Sequence, residues 1–309
     1  MPKEITHWIL AERVLNQLGE NNPLSGIIRA NHSIYLAGTV LPDTLLHLFR
    51  GPHSRIALRL AHRFHDATDN SYGPLIRAEA RYPDGLPPSL LACLLGVISH
   101  ILTDSVFHPY VYARSGIHDI GLHYRLETAM DVHFLHCGVT SPARRMDELT
   151  TPETRQMLRD AMALLFDPDG ELPQAALEQS LALHCRIQGM YDRTWWKIAA
   201  MLLGTLLGSP FREQRQLFYP LDASGSNHRM MIDSIGSWKH PVSGAVMTNS
   251  IDDLADEAVQ QTVAIFRRIE ERGSLAMALE EPPGANLLTG LVGIGMAEMG
   301  HGRQEREVK

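Results

Sequence analysis

The chain has 309 residues, of which 44% are hydrophobic and 20% charged, and a formal net charge of −7. That is the composition of an ordinary globular protein large enough to bury a substantial core. The acidic balance argues against a nucleic-acid-binding surface, which needs a basic stripe, and Cys93, Cys137 and Cys185 are too few and too scattered for a disulfide framework or a thiolate zinc site. The one anomaly is sixteen histidines, about twice an average share.

In chain order, helical periodicity predicts a first helix over 5–19 starting at a Thr6 cap, with Ile9, Leu10, Val14, Leu15 and Leu18 on one stripe. A second is predicted over 25–36, before a break at Leu41-Pro42-Asp43. Residues 54–80 read as one long helix or a pair, and 88–108 as an apolar helix from Pro88 to His108, stopped by Pro109. Further helices are expected near 120–137, 152–165, 173–207 and 251–279, the last behind a Ser250 cap. Residues 218–249 are irregular, punctuated by Gly225, Gly236 and Gly244, and Leu287–Met299 reads as a loop or a buried terminal segment. No alternating strand pattern persists. The fold class expected is all-α, one helical domain over residues 1–309.

The start of the chain has no signal-peptide pattern, and no uncharged apolar run reaches the roughly 20 residues of a membrane span. No basic amphipathic segment suggests membrane docking. The expectation is a cytoplasmic protein with no transmembrane segment and no nucleic-acid partner.

His100 and Asp104 lie four apart, one turn along one helix face, with His108 a further turn on; the next helix repeats the spacing with His123 and Glu127, and Asp131 continues that face. Spacing alone is weak. Sixteen histidines and 35 acidic residues in 309 positions give about two such pairs by chance, against five here: His62/Asp66, His65/Asp69, His100/Asp104, His123/Glu127 and His301/Glu305. Adjacency adds more, since consecutive antiparallel helices would bring His100, Asp104, His108, His123 and Glu127 to one place. Read without further help, the set is either a buried polar network or a metal site. As a metal site it suits zinc, because neutral imidazole and carboxylate are standard zinc ligands whereas calcium and magnesium want more oxygen.

These residues resemble the zinc-dependent phospholipase C family, and more closely its signal-less bacterial branch. The core of the likeness is Leu95-Gly96-Val97-Ile98-Ser99-His100-Ile101-Leu102-Thr103-Asp104-Ser105-Val106-Phe107-His108-Pro109, joined by Thr6-His7-Trp8, by Leu36 to Asp43 and by His123 to Asp131, with a weaker echo at Trp238 to Gly244. The resemblance implies an all-helical fold and two or three Zn2+ per chain. Asp43, His65, His100 and Asp104 would hold one zinc and His108, His123 and Glu127 a second. A third would take His7, with Asp104 bridging. It favours His65 over His62. Secreted members complete the third position with an N-terminal tryptophan, whereas Trp8 here is internal. Asp131 is expected to orient a ligating histidine, and His118, His133 and His136 to be bystanders; His32, His47, His53, His184, His228, His240 and His301 are read as ordinary core or surface residues.

The implied activity is a multi-zinc hydrolase. The first reading is a phosphodiesterase of the phospholipase C type acting on a lipid or small-molecule ester, with metal-bound hydroxide attacking phosphorus and Asp43 orienting the water as a general base. The alternatives are a zinc amidase or deacylase acting on a small metabolite, and a non-catalytic metal-stabilised scaffold. The substrate pocket is expected to be lined from residues 140–250.

Overall fold

The computed structural model describes residues 3–221, 232 and 236–299. Gly225, His228 and the His301/Glu305 pair lie outside them. The fold is all-α: α1 (Glu4–Leu18), α2 (Pro23–Ala30), α3 (His32–Gly38), α4 (Ser54–His65), α5 (Gly73–Glu79), α6 (Pro88–Ser115), α7 (Ile120–His136), α8 (Pro152–Phe166), α9 (Gln174–Gln188), α10 (Thr194–Leu206), α11 (Phe211–Gln214), α12 (Ile251–Arg272) and α13 (Leu275–Leu279). The strands among the described residues are a two-residue antiparallel pair, β1 (Trp238–Lys239) and β2 (Val246–Met247).

Local chemistry sets most boundaries. Asn22 and Asp119 accept backbone N–H bonds at the starts of α2 and α7. Ser250 and Asp253 cap each other's backbone ahead of α12. Several expectations change. The 5–19 helix starts at Glu4, and Thr6 lies inside its first turn. The 25–36 and 173–207 segments are each two helices, and Leu41–His47 is a 3-10 turn rather than a plain break. Pro109 does not stop the helix at His108: α6 runs on to Ser115. Proline removes one intrahelical hydrogen bond, but the flanking turns are buried, and packing on all sides holds the helix through the defect.

α6 is the axis of the molecule, packed against α1, α2, α3, α7, α8 and α12. It has the length and apolarity of a membrane span, with mean hydropathy 1.9 over its best window, yet 94% of that window is buried inside the fold. The closest approach is to α3. A Cβ on Gly96 would sit 2.2 Å from the Tyr35 carbonyl oxygen and 2.9 Å from Gly38 Cα, so the glycine pair lets the backbones touch. The segment 286–299 folds back on α6, where Gly290 (φ +67°) leaves no room for a side chain: a Cβ there would meet the Ser105 carbonyl oxygen at 2.5 Å.

α10 is inverted. Only Lys197 and Gly204 are buried, while Trp195 is 83% and Leu206 77% exposed. The Lys197 ammonium turns inward to Asp192 (2.7 Å) and the Pro220 carbonyl (3.3 Å). An exposed apolar face of this size was not foreseen, because a run such as Ala199-Ala200-Met201-Leu202-Leu203 reads as core.

Candidate metal centre

Five elements converge on one buried cluster: α1 brings His7, the 3-10 turn Asp43, α4 His65, α6 His100, Asp104 and His108, and α7 His123 and Glu127. The three α6 residues share a face because each is one turn from the next. All eight side chains lie at or near full burial; Asp43, with 13% of its side chain exposed, is the most open. His62 is exposed on the outer face of α4, whereas His65 points inward to Asp43.

Three groups of these residues bring ligand atoms within 4.8 Å of one another: His7, Asp43 and His100; His65, His100 and Asp104; and His108, His123 and Glu127. Asp104 joins them. Its Oδ1 lies 3.3 Å from His7 Nε2, and its Oδ2 lies 3.1 Å from His100 Nε2 and 4.0 Å from His108 Nδ1. His65 Nε2 is 3.1 Å from Asp43 Oδ1 and His123 Nε2 is 2.7 Å from Glu127 Oε1.

The backbone fixes the rings. His65 Nδ1 donates to the Ala61 carbonyl (2.8 Å), His100 Nδ1 to the Thr39 carbonyl (2.8 Å) and His108 Nδ1 to the Leu287 carbonyl (2.6 Å). A carbonyl can only accept, so each Nδ1 carries a proton and Nε2 is the nitrogen left to meet a metal, the orientation a metal-ligating histidine needs. Leu287 sits in the glycine-rich C-terminal segment and contributes only its backbone, so side-chain patterning gave no sign of it. Tyr112 was also missed; its ring lies 5.7 Å from that of His108 and 4.9 Å from that of His123.

Do these residues fit a metal? Despite the short distances, His7 Nδ1 and Nε2, His100 Nε2 and both oxygens of Asp104 are buried without a hydrogen-bond partner. Leaving a buried polar atom unpaired costs about 1–3 kcal/mol, more for a charge, and such atoms are rare in native proteins. Here they gather at one spot, and the ion-pair partners of Asp43 and Asp104 among the described residues are all histidines. Divalent cations would satisfy His7 Nε2, His100 Nε2 and both Asp104 oxygens together, and the His/Asp/Glu donor set is that of zinc. The electrostatics agree. Burial alone would depress His100, but the carboxylates of Asp104 and Asp43 outweigh it and lift the imidazole to about 9. Burial would raise Asp104, but His100 and His108 hold it well below the usual carboxylate range. The pocket attracts positive charge.

The family model for zinc-dependent phospholipase C matches residues 6–165, just over half the chain. The chain belongs to the zinc-dependent phospholipase C family. No curated protein and no solved structure matches it. The match spans the elements that carry all eight cluster residues. A zinc-dependent phospholipase C is a hydrolase, and the several metal-competent groups support zinc binding in this one.

Asp131 orients no histidine. Its Oδ1 accepts from Thr6 N (2.8 Å) and Thr6 Oγ1 (2.6 Å), and its Oδ2 accepts from the Tyr219 hydroxyl (2.6 Å). It therefore satisfies an open N–H in the first turn of α1, one residue before His7. Trp8 is fully buried, and its indole donates to the Leu36 carbonyl (3.2 Å). His133 pairs with Asp252 at 3.1 Å, away from the centre. The Trp238–Gly244 echo is the β1–β2 hairpin, docked through Trp238 on Tyr110. A cavity of about 540 Å³ is lined largely by residues 144–221, among them Arg144, Arg145, Arg193 and Lys197, and includes none of the eight cluster residues.

Proposed function

We propose that this family member is a multi-zinc phosphodiesterase of the phospholipase C type, acting on a phospholipid head group or another phosphate ester. On this reading two or three Zn2+ are held by His7, Asp43, His65, His100, Asp104, His108, His123 and Glu127 within one domain spanning the chain. The observation that carries the proposal is Asp104. Its two oxygens face different histidines, and both are wholly buried without a hydrogen bond. A carboxylate whose two oxygens open toward different histidines could serve two neighbouring cations.

When bound, zinc supplies Lewis acidity, lowering the pKa of a coordinated water and neutralising charge on a phosphoryl group. The protein does the rest. The Ala61, Thr39 and Leu287 carbonyls hold three imidazoles in one tautomer. The buried walls keep bulk water away, which strengthens every charge interaction inside. Asp43, the most open of the set, is the base that can accept a proton from an attacking water, with His65 at 3.1 Å fixing its orientation.

The test is hydrolysis of a nitrophenyl phosphocholine by zinc-loaded protein, lost on chelation and restored by zinc. Turnover of an acyl amide or ester by the same sample, with no phosphodiester cleavage, would replace this reading with a zinc deacylase.

A further inference from the structure

A fourth set of ligand atoms lies outside the eight-residue cluster. We infer that Glu4, His47 and His184 form a separate divalent-cation site of the two-histidine, one-carboxylate type, suited to zinc. Glu4 lies one turn before His7 on α1, His47 one turn after Asp43 at the end of the 3-10 turn, and His184 on α9. Their ligand atoms lie within 4.8 Å of one another, the same closeness as in the three groups of the main centre.

The gap between them is not closed by hydrogen bonds. His184 Nε2 and Glu4 Oε1 are 3.6 Å apart, too far for a hydrogen bond. His184 is completely buried, and its Nε2 and Glu4 Oε2 have no partner. The ion-pair partner of Glu4 is His184. The adjacent Lys3 ammonium is directed elsewhere, to the Leu217 carbonyl (2.6 Å), and lies over the rings of Tyr191 and Tyr219.

The rings are held as ligands are held. His47 Nδ1 donates to the Asp43 carbonyl (3.1 Å), leaving Nε2 as the lone pair. His184 Nδ1 lies 3.0 Å from the Thr44 hydroxyl, and Thr44 is itself fixed through its carbonyl by Ser180. His65, His100 and His108 are likewise held through Nδ1, in their case by backbone carbonyls. The two imidazoles stack, with centroids 4.1 Å apart and planes within 13° of parallel. Three protein ligands complete a zinc site with one further position. Its role is positional: a cation here clamps α1, the 3-10 turn and α9 together, and so fixes the two elements that present His7 and Asp43.

The experiment is an anomalous difference map at the zinc edge from crystals of the full chain grown with zinc, together with zinc titration of metal-free protein in solution. A peak among Glu4, His47 and His184 is expected, as is the loss of one zinc equivalent in His47→Gln and in Glu4→Gln relative to wild type. Absence of a peak at this position in the wild-type crystal, whatever the other positions show, overturns the inference without reference to how either variant folds. So does an equal stoichiometry in wild type and in a His47→Gln protein whose circular dichroism is native.

Discussion

Gly96 couples the packing of the core to the metal centre, and replacing it with alanine measures that coupling. The new Cβ would lie 2.2 Å from the Tyr35 carbonyl oxygen, 2.9 Å from Gly38 Cα and 3.0 Å from Gly38 C. All three are backbone atoms, so no rotamer change relieves the clash; α3 must retreat from α6 by about 1 Å to reach ordinary contact. Overpacking of this kind costs about 1–3 kcal/mol, and the rigidity of both neighbours puts Gly96→Ala at the upper end. The same retreat stretches the bond from His100 Nδ1 to the Thr39 carbonyl, now 2.8 Å, beyond hydrogen-bond range, and losing such a support lowers metal affinity about 10–100-fold. Urea denaturation of metal-free protein and competition with a chromophoric chelator read the two effects separately. Gly26→Ala is the control. This exposed α2 position has nothing within 4 Å of the added Cβ, and the change should stabilise by about 0.5–1 kcal/mol. If Gly96→Ala falls within about 0.5 kcal/mol of wild type and binds zinc as tightly, the close approach does not set the geometry of the centre.

His100→Ala and Asp104→Asn should each lose zinc and hydrolysis together, while His133→Ala retains both in elemental analysis and assay; equal damage from His133→Ala would mean that the wrong face of α7 has been assigned. Because the carboxylates lift His100 to about 9, the metal-free site is protonated at neutral pH, and zinc must displace that proton. Apparent affinity should therefore climb from pH 7 to about 9, with proton release visible by calorimetry in buffers of different ionisation enthalpy. In the metal-free protein the same group contributes about 3 kcal/mol of stability, fully present below pH 6.5 and lost as pH rises through about 9. A metal-free stability that rises over that window would contradict the assignment. Asp131→Ala removes the acceptor of both Thr6 bonds and should cost about 1–3 kcal/mol in thermal melts, and occupancy at the His7 position should fall with it.

The legible part of the site was the part written at helical spacing. His100, Asp104, His108, His123 and Glu127 are local pairs on neighbouring helices, and the structure brings them together as those offsets imply. Asp43 and His65, from two other elements, needed the family resemblance. Glu4, His47 and His184 gave no signal, because three residues spread over α1, a 3-10 turn and α9 share no period. The same limit hid the Leu287 carbonyl, since a backbone ligand support leaves no trace in residue type. Element types were readable, but the extent of α6 was not: Pro109 is a local stop signal that surrounding packing overrides. The exposed face of α10 was not legible, because hydrophobicity reports what a side chain prefers, and only the fold decides where a helix points.

α6 carries one more consequence, felt before the protein is folded. As it leaves the ribosome, a 28-residue segment whose most apolar window has mean hydropathy 1.9 is the kind of sequence that membrane-insertion machinery selects. Asp104 stands well inside it, with His100 and His108 on either side. A central aspartate penalises insertion by about 2.5–3.5 kcal/mol, against a gain of only a few tenths for each apolar neighbour. The residues that would hold metal in the finished protein would thus also oppose insertion of the nascent helix into the bilayer. An Asp104→Leu chain should then be misrouted to membranes during synthesis, a defect that no added zinc could repair.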